Sequence, residues 1–220
     1  NHQWDQQGFG TENLYFFQRR IIFLLIPYYN LTMGSTFNFA NLLTFIRIVC
    51  IPLIAVIFFM SFDLSRPIAA VIFIVAALTD WLDGWVAREF NQTSKLGAFL
   101  DPVADKLIVS VALILIVQSD PTILNSVIAA IIIGREITIS ALREWMSELG
   151  ASHQVSVTGY AKLKTVFQMF GLSFMLFKTP IFGIPIYWIG TLLLIAAVIL
   201  TLWTMLVYLT KAWPVIIKSE

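Results

Sequence analysis

The amino-acid sequence predicts an all-α, polytopic membrane protein with six transmembrane helices. Composition is the first reason: 59% of the 220 residues are hydrophobic and 12% are charged, whereas soluble domains average roughly half and a quarter. The second reason is that six apolar segments each reach the ~20 residues that a helix needs to cross a bilayer. These segments are Leu42–Phe62, Pro67–Arg88, Leu96–Val117, Pro121–Leu149, Val157–Phe177 and Phe182–Tyr208.

Positive charges predict how the six spans are oriented. With six spans, both termini and the turns at 89–95 and 149–156 share one side of the membrane. That side carries seven basic residues at or near helix ends, and the other side carries only Arg66 and Lys178. The positive-inside rule therefore predicts that both termini are cytoplasmic. The seven residues are Arg88, Lys95, Arg143, Lys162, Lys164, Lys211 and Lys218.

The first 32 residues differ from the rest of the chain. Residues 12–18 read Glu-Asn-Leu-Tyr-Phe-Phe-Gln, which resembles a tag-removal protease site with one extra Phe, and Met33 then reads like a start. We therefore expect residues 1–32 to be a tag remnant and residues 33–220 to form the membrane domain. A native interfacial helix at Ile21–Tyr29 is the alternative, since this run is too short to span a bilayer.

Charge and cysteine content exclude some partners and constraints. The net charge is +1 and no basic cluster stands out, so we expect no nucleic-acid partner. The single cysteine, Cys50, lies inside an apolar run and cannot form an intramolecular disulfide. We expect it to be a small buried hydrophobic residue.

Four aspartates lie in the facing ends of the second and third apolar segments: Asp80, Asp83, Asp101 and Asp105. An ionised group at bilayer depth costs roughly 2.5–3.5 kcal/mol on insertion scales, so four together require a partner. Helical periodicity places one pair on a single stripe of its helix and the other pair on a stripe of the next helix. Divalent cations such as Mg²⁺ or Mn²⁺ accept oxygen ligands, so we predict that the four carboxylates bind two ions.

Small and basic residues on the same stripes predict a ligand that bears phosphate. Gly84 and Gly97 lack side chains, so a nucleotide or its pyrophosphate could approach the backbone closely. Arg88 is placed to meet phosphate charge. Among crowded carboxylates, the one farthest from the metals can retain affinity for a proton. Asp105, the last of the four, is therefore the candidate general base.

The pattern from Asp80 to Asp105 resembles the signature of the CDP-alcohol phosphatidyltransferases. All eight fixed residues are present at the spacing of the family, which makes a chance match very improbable. The resemblance covers Phe37–Tyr208. It implies a six-helix membrane fold, usually a homodimer, that transfers the phosphatidyl group of a CDP-linked lipid to an alcohol and releases CMP. The fixed residues are Asp80, Asp83, Gly84, Ala87, Arg88, Gly97, Asp101 and Asp105.

The resemblance also implies a role for each matching residue. Asp80, Asp83 and Asp101 would bind metal, and Asp105 would bind metal and deprotonate the acceptor hydroxyl. The CDP group would be held by Gly84, Ala87 and Arg88. Similarity to bacterial members implies the inner (cytoplasmic) membrane, with an active site that faces the cytoplasm and is open to the bilayer.

Basic residues of the fourth and fifth segments predict the acceptor. Arg135 and Arg143 are eight residues apart on one helix face, and Arg135 is deep enough that we expect it to face a partner or an anionic substrate rather than to be a paired surface charge. Lys162 and Lys164 lie near the start of the fifth span, where snorkelling alone is a sufficient interpretation for Lys164. These stretches resemble family members that use CDP-diacylglycerol and sn-glycerol 3-phosphate. The resemblance therefore implies that all four residues bind the acceptor phosphate.

A polar stripe opens the first span. Asn41, Thr44 and Arg47 recur at spacings of three and would face the same cavity, with Asn41 and Thr44 near the CDP group. Helix capping is an equal alternative for Asn41. Snorkelling to the membrane interface is an equal alternative for Arg47.

Other functions stay open at this point. A sibling enzyme would use inositol phosphate, serine or phosphatidylglycerol as acceptor. A magnesium-dependent intramembrane prenyltransferase also uses acidic helices, but its motifs lack the framework from Gly84 to Gly97. A transporter could carry buried acids, yet we would expect inverted repeats or broken helix pairs, and the sequence has neither.

Overall fold

The computed structural model describes residues 39–90, 95–150 and 160–219. Within these ranges it gives no description of the side chains of residues 39–41, 80–90, 95, 96, 98, 160–162, 215, 216, 218 and 219. The described part is all-helical apart from an isolated β-bridge, which confirms the all-α part of the prediction. Its six helices are α1 (Phe39–Phe59), α2 (Ser65–Phe90), α3 (Lys95–Ser119), α4 (Ile123–Glu148), α5 (Tyr160–Phe177) and α6 (Ile186–Ser219).

Three of the six described helices are long and apolar enough to cross a membrane. The candidate spans are Leu42–Phe59 in α1, Ile123–Glu148 in α4 and Ile186–Pro214 in α6, and the apolar stretches of α2 and α5 are shorter. Large apolar side chains such as Val56 and Ile199 are exposed on these helices, as expected for a surface that contacts lipid. The predicted total of six spans stays a prediction.

The bounds of α6 differ from the prediction. The sixth segment was expected to begin at Phe182, but α6 begins at Ile186 and runs for 34 residues. Residues 181–184 instead form a reverse turn, closed by a β-bridge between Ile181 and Ile184. Hydropathy cannot separate an apolar turn from an apolar helix, so the sequence placed these residues in the span.

The start of α4 is set by a capping interaction rather than by hydropathy. The segment was expected to begin at Pro121, and the helix begins at Ile123. The Thr122 hydroxyl accepts a hydrogen bond from the backbone N–H of Asn125 at 3.1 Å. A threonine with extended backbone at this position satisfies one of the unpaired donors of the first turn, which fixes where the helix starts.

The main apolar core receives side chains from all six described helices. Helix α1 packs against α2 and α3, α5 packs against α2 and α6, and α4 packs against α3 and α6. A second, smaller cluster joins α4 to the distal part of α6. The largest apolar side chains that are fully buried in the main core include Ile54, Phe73, Leu113, Ile132, Leu172 and Leu194.

At one end of the bundle, three interhelical connections meet in a polar cluster. Lys178 Nζ donates to both carboxylate oxygens of Asp120, at 2.8 and 3.0 Å, and Arg66 Nη2 lies 3.8 Å from Asp120 Oδ2. Asn125 donates to the Asp120 carbonyl and to the Tyr187 hydroxyl. These five residues, here called the loop cluster, tie the α1–α2, α3–α4 and α5–α6 connections together.

The charges of the loop cluster stabilise the ionised form of its carboxylate. Burial raises the pKa of Asp120, but the hydrogen bond and charge of Lys178, together with the charge of Arg66, outweigh burial. The pKa of Asp120 therefore lies below its ordinary value. Since the carboxylate is partly exposed, the ion pairs contribute about 1 kcal/mol or less each.

Two glycines allow α5 and α6 to approach closely. A Cβ atom at Gly190 would lie 2.9 Å from the backbone oxygen of Gly171 and 2.9 Å from Met175 Cγ. A Cβ atom at Gly171 would lie 2.9 Å from Leu194 Cδ2 and 3.0 Å from the Gly190 oxygen. Small residues at helix crossings let backbones meet, which strengthens van der Waals packing inside a membrane.

We predict that Gly190→Ala destabilises the fold by about 1–3 kcal/mol, because the new methyl group overlaps backbone that cannot move independently. The measurement is the free energy of unfolding in detergent micelles. Gly134→Ala in α4 is the matched control, since its Cβ would meet no described residue within 4 Å outside the neighbouring backbone of its own helix. Equal losses for the two variants would contradict the proposed close crossing.

Candidate active site

Half of the predicted acidic motif lies on α3 with described side chains. Asp101 and Asp105 are one helical turn apart, and Gly97 is buried one turn before them. The other motif residues fall on α2, but their side chains lie outside the description; they are Asp80, Asp83, Gly84, Ala87 and Arg88. The side chains of Asn41 and Lys162 lie outside it as well.

Helix α1 donates hydrogen bonds to both described aspartates of the motif. Thr44 Oγ1 donates to Asp101 Oδ1 at 2.5 Å, and Arg47 Nη1 donates to Asp105 Oδ1 at 2.7 Å. Residues three apart on α1 therefore meet residues four apart on α3, because both spacings correspond to about one turn. Each carboxylate is fixed through one oxygen by its own donor on α1.

The burial of Arg47 decides between its two interpretations. Its exposed fraction is 0%, so the guanidinium does not snorkel to the interface, and that alternative is wrong. A buried guanidinium requires a charged or strongly polar partner, which Asp105 supplies. Thr44 is also buried, at 1% exposure, and contacts the motif directly. Two of the three residues of the polar stripe, Thr44 and Arg47, thus contact the described aspartates of the motif.

A cavity of about 730 Å³ joins the acidic motif to the basic residues of the fourth and fifth segments. Arg47 and Asp105 line one part of it. Three of the four residues predicted to bind the acceptor phosphate line another part: Arg135, Arg143 and Lys164. The cavity therefore brings Arg47 together with Lys164, which lies 117 positions further along the sequence.

Glu136 organises the basic part of this cavity. Its Oε1 atom accepts a hydrogen bond from Arg135 Nη1 at 2.7 Å and another from Lys164 Nζ at 3.0 Å. Lys164 is 6% exposed, so the interpretation of a snorkelling lysine is wrong for this residue. Glu136 was not among the predicted site residues. The sequence signal was its place beside Arg135, but nothing in the sequence indicated the bridge to Lys164.

Arg135 retains a donor that the described part of the chain does not satisfy. The residue is 6% exposed, and its buried Nε atom has no hydrogen-bond partner among the described residues. An unsatisfied buried donor costs about 1–3 kcal/mol, more for a charged group. An anionic oxygen in the cavity would satisfy it, which makes Arg135 a strong candidate for phosphate binding.

Arg143 occupies the rim of the cavity. Its Nη2 atom donates to the Tyr208 hydroxyl at 3.2 Å, and its guanidinium lies over the Tyr208 ring, 5.5 Å from the centroid. Tyr208 is buried between α4 and the distal part of α6. This contact fixes the direction of an otherwise exposed side chain. Tyr208 marks the end of the predicted sixth span, and no local pattern in the sequence indicates its contact with Arg143.

The described half of the motif fits a site for hard divalent cations. Asp101 and Asp105 provide carboxylate oxygens, the ligands that Mg²⁺ prefers. Hydrogen bonds from Thr44 and Arg47 hold these carboxylates in place, as the outer contacts of metal ligands commonly do.

The fold and this cavity define a helical membrane protein that presents a charged site within an apolar bundle. A sequence model of the CDP-alcohol phosphatidyltransferase family matches residues 37–203, so the chain belongs to that family and is a transferase.

Relatives cover most of the chain. A protein of Salmonella choleraesuis (strain SC-B67) is 44% identical over 176 residues, which cover 80% of this chain and 95% of the relative. A protein of Shigella flexneri serotype 5b (strain 8401) matches with the same identity and coverage. A protein of Pseudomonas fluorescens is 46% identical over 180 residues, covering 80% of this chain and 91% of the relative. All three are named CDP-diacylglycerol–glycerol-3-phosphate 3-phosphatidyltransferase.

We predict that Glu136→Gln destabilises the protein by about 1–3 kcal/mol, because it removes the charge that compensates two buried cations. The measurement is the free energy of unfolding in micelles. Glu144→Gln makes the same chemical change on an exposed position of α4 and should stay within about 0.5 kcal/mol of the parent. If both variants lose the same stability, Glu136 does not have this role.

Proposed function

We propose that the protein transfers the phosphatidyl group of CDP-diacylglycerol to sn-glycerol 3-phosphate, giving phosphatidylglycerol phosphate and CMP. This is the activity of a phosphatidylglycerophosphate synthase. The observation that carries the proposal is the shared cavity, in which the motif residue Asp105 and the basic residues Arg135, Arg143 and Lys164 all take part. The names of relatives at 44–46% identity specify the same donor and acceptor.

The basic residues would bind the phosphate of the acceptor. A phosphate monoester carries close to two negative charges and several acceptor oxygens. Arg135 offers an Nε atom that has no partner among the described residues, and Lys164 and Arg143 supply further charge in the same cavity. Lys162 would join them. An acceptor without phosphate, such as serine, would leave this buried charge uncompensated, so we favour glycerol 3-phosphate over serine.

Asp105 would act as the general base. It would take the proton of the primary hydroxyl of glycerol 3-phosphate, whose oxygen attacks the phosphorus on the lipid side of the diphosphate. A bond from that oxygen to phosphorus forms as the bond from phosphorus to the CMP oxygen breaks. Arg47 would position Asp105 by holding its Oδ1 atom. Charge stabilisation and positioning would supply most of the rate enhancement.

The remaining motif residues would hold the donor. Two divalent ions, Mg²⁺ or Mn²⁺, bound by the four aspartates Asp80, Asp83, Asp101 and Asp105, would neutralise charge on the diphosphate and on the departing CMP. The CDP group would lie against Gly84, Ala87, Arg88, Gly97, Asn41 and Thr44. The hydrogen bond from the Thr44 hydroxyl to Asp101 supports a place for Thr44 beside the bound donor, since Asp101 is one of the proposed metal ligands.

The proposed arrangement in the membrane follows from the predicted spans. Six spans would place both termini and the cavity on the cytoplasmic side of a bacterial inner membrane, with the donor lipid reaching the cavity from the bilayer. A homodimer is part of the proposal because the family resemblance implies it.

The reaction is tested by supplying purified protein with CDP-diacylglycerol and each candidate acceptor in turn: glycerol 3-phosphate, inositol phosphate, serine and phosphatidylglycerol. We expect metal-dependent CMP release and phosphatidylglycerol phosphate as the lipid product, identified by mass, with the first acceptor alone. Asp105→Asn should lower turnover at least about 100-fold while largely sparing nucleotide binding, because a neutral amide cannot accept the proton. Near-normal turnover in this variant would exclude Asp105 as base.

Acceptor recognition is tested separately with Arg135. Arg135→Gln should raise KM for glycerol 3-phosphate about 10–100-fold, because a charge-assisted hydrogen bond contributes roughly 1.5–3 kcal/mol. The KM for CDP-diacylglycerol should change far less. Lys211→Gln removes one positive charge from an exposed position of α6 and serves as the control. A parallel rise in both KM values would argue for a general structural defect instead.

A further inference from the structure

The turn between α5 and α6 presents apolar side chains that no described residue covers. Phe182 is 99% exposed, and its neighbours Ile181 and Ile184 are 39% and 51% exposed. From Thr179 to Thr210 the sequence contains no charged residue. The charge of the α5–α6 connection is confined to Lys178 at its start, and Lys178 is paired with Asp120. The rest of the connection is uncharged, and its exposed apolar side chains favour a partner that is itself apolar.

Three backbone hydrogen bonds close this turn. The Ile181 N–H donates to the Ile184 carbonyl at 3.3 Å, and the Ile184 N–H donates to the Ile181 carbonyl at 2.9 Å. The Ile186 N–H also donates to the Ile184 carbonyl, at 2.9 Å. Irregular backbone is tolerated near lipid only when its polar groups are paired. This turn meets that condition for these groups, whereas an ordinary surface loop relies on water.

The residue at the tip of the turn is sterically unfavourable there. Phe182 has φ = 52° and Gly183 has φ = 78°, the positive values of a two-residue type I′ turn. The first of these positions favours Asn, Asp or Gly, because a bulky side chain clashes in the left-handed region. A phenylalanine at this position therefore strains the backbone. Its ring is nonetheless fully exposed. Such strain points to a contact that compensates for it.

The position of the turn along α6 matches one face of a bilayer. The candidate span of α6 begins at Ile186, directly after the turn. Tyr208, which contacts Arg143 at the cavity, lies about 30 Å further along the helix axis than Tyr187. This length equals the hydrocarbon thickness of a typical membrane. The turn is also continuous with exposed apolar residues of the first turn of α6, Trp188 and Ile189.

We propose that the turn Pro180–Pro185 lies in the lipid interface on the side of the membrane opposite the cavity, with the Phe182 ring among the upper acyl chains. The partner is the bilayer itself. Trp188, 66% exposed, would lie at the same level, where aromatic residues are enriched. The loop cluster, with its paired Asp120 and Lys178, would mark the adjacent aqueous boundary. The proposal does not depend on the reaction proposed above.

The single cysteine of the chain makes a direct test possible. In a Cys50→Ala background, Phe182→Cys and the control Asp63→Cys are labelled with a nitrobenzoxadiazole fluorophore. The full chain is reconstituted into vesicles of phosphatidylethanolamine and phosphatidylglycerol. We expect the label at 182 to emit at shorter wavelength than the label at 63. It should be quenched by brominated lipid more strongly than by iodide present on both sides of the membrane.

Two results would overturn the proposal. Stronger quenching by iodide than by brominated lipid at position 182 would place the turn in water. Protection from both quenchers would place it under protein, such as a second copy of the chain.

A second variant removes any dependence on the label. Phe182→Asn supplies a residue that the type I′ turn favours, so the turn itself should become less strained. If the ring is embedded in lipid, the loss of that contact should outweigh the relief, and the midpoint of thermal unfolding in vesicles should fall. An unchanged or higher midpoint would contradict the proposal.

Discussion

The contact between Arg47 of α1 and Asp105 of α3 is the constraint on which the site depends. Arg47 is fully buried, and a guanidinium removed from water requires a charged partner such as Asp105, whose side chain is 46% exposed. The Thr44–Asp101 hydrogen bond repeats the contact one turn away. Because two adjacent contacts match two adjacent turns, they favour the observed register of α1 on α3. The same two contacts orient Asp101 and Asp105 on α3, and Asp105 lines the cavity.

The basic residues that line the cavity show how charge of one sign can be concentrated inside an apolar bundle. Arg135 and Lys164 would repel each other, and a single oxygen of Glu136 lies between them. Glu136 compensates one positive charge and leaves the wall with a net positive balance. The Nε atom of Arg135, which no described residue pairs, is a donor that the hydrogen bond to Glu136 orients before any ligand binds. A site whose donors are already oriented spends less free energy on reorganisation when an anion binds.

The sequence predicted most of what depends on local pattern. Hydropathy located all six helices, and the one-turn spacing of Asp101 and Asp105 placed them on a common stripe of α3. Contacts between distant segments could not be predicted in the same way. Neither the buried state of Arg47 nor the bridge from Glu136 to Lys164 has a local signal, because each depends on how two helices pack. The turn at Phe182 was missed for a different reason: its residues are as apolar as the helix that follows.

Helix α6 has a length that the surrounding membrane must accommodate. Its candidate span of 29 residues is about 44 Å long, whereas a typical hydrocarbon core is about 30 Å thick. Such a helix must lean, or carry its last turns out of the hydrocarbon, and thinner membranes increase the mismatch. Tyr208 of this helix holds Arg143 at the cavity rim. A membrane thickness that changes the tilt of α6 would therefore also shift Tyr208 and, with it, the position of Arg143 at the cavity.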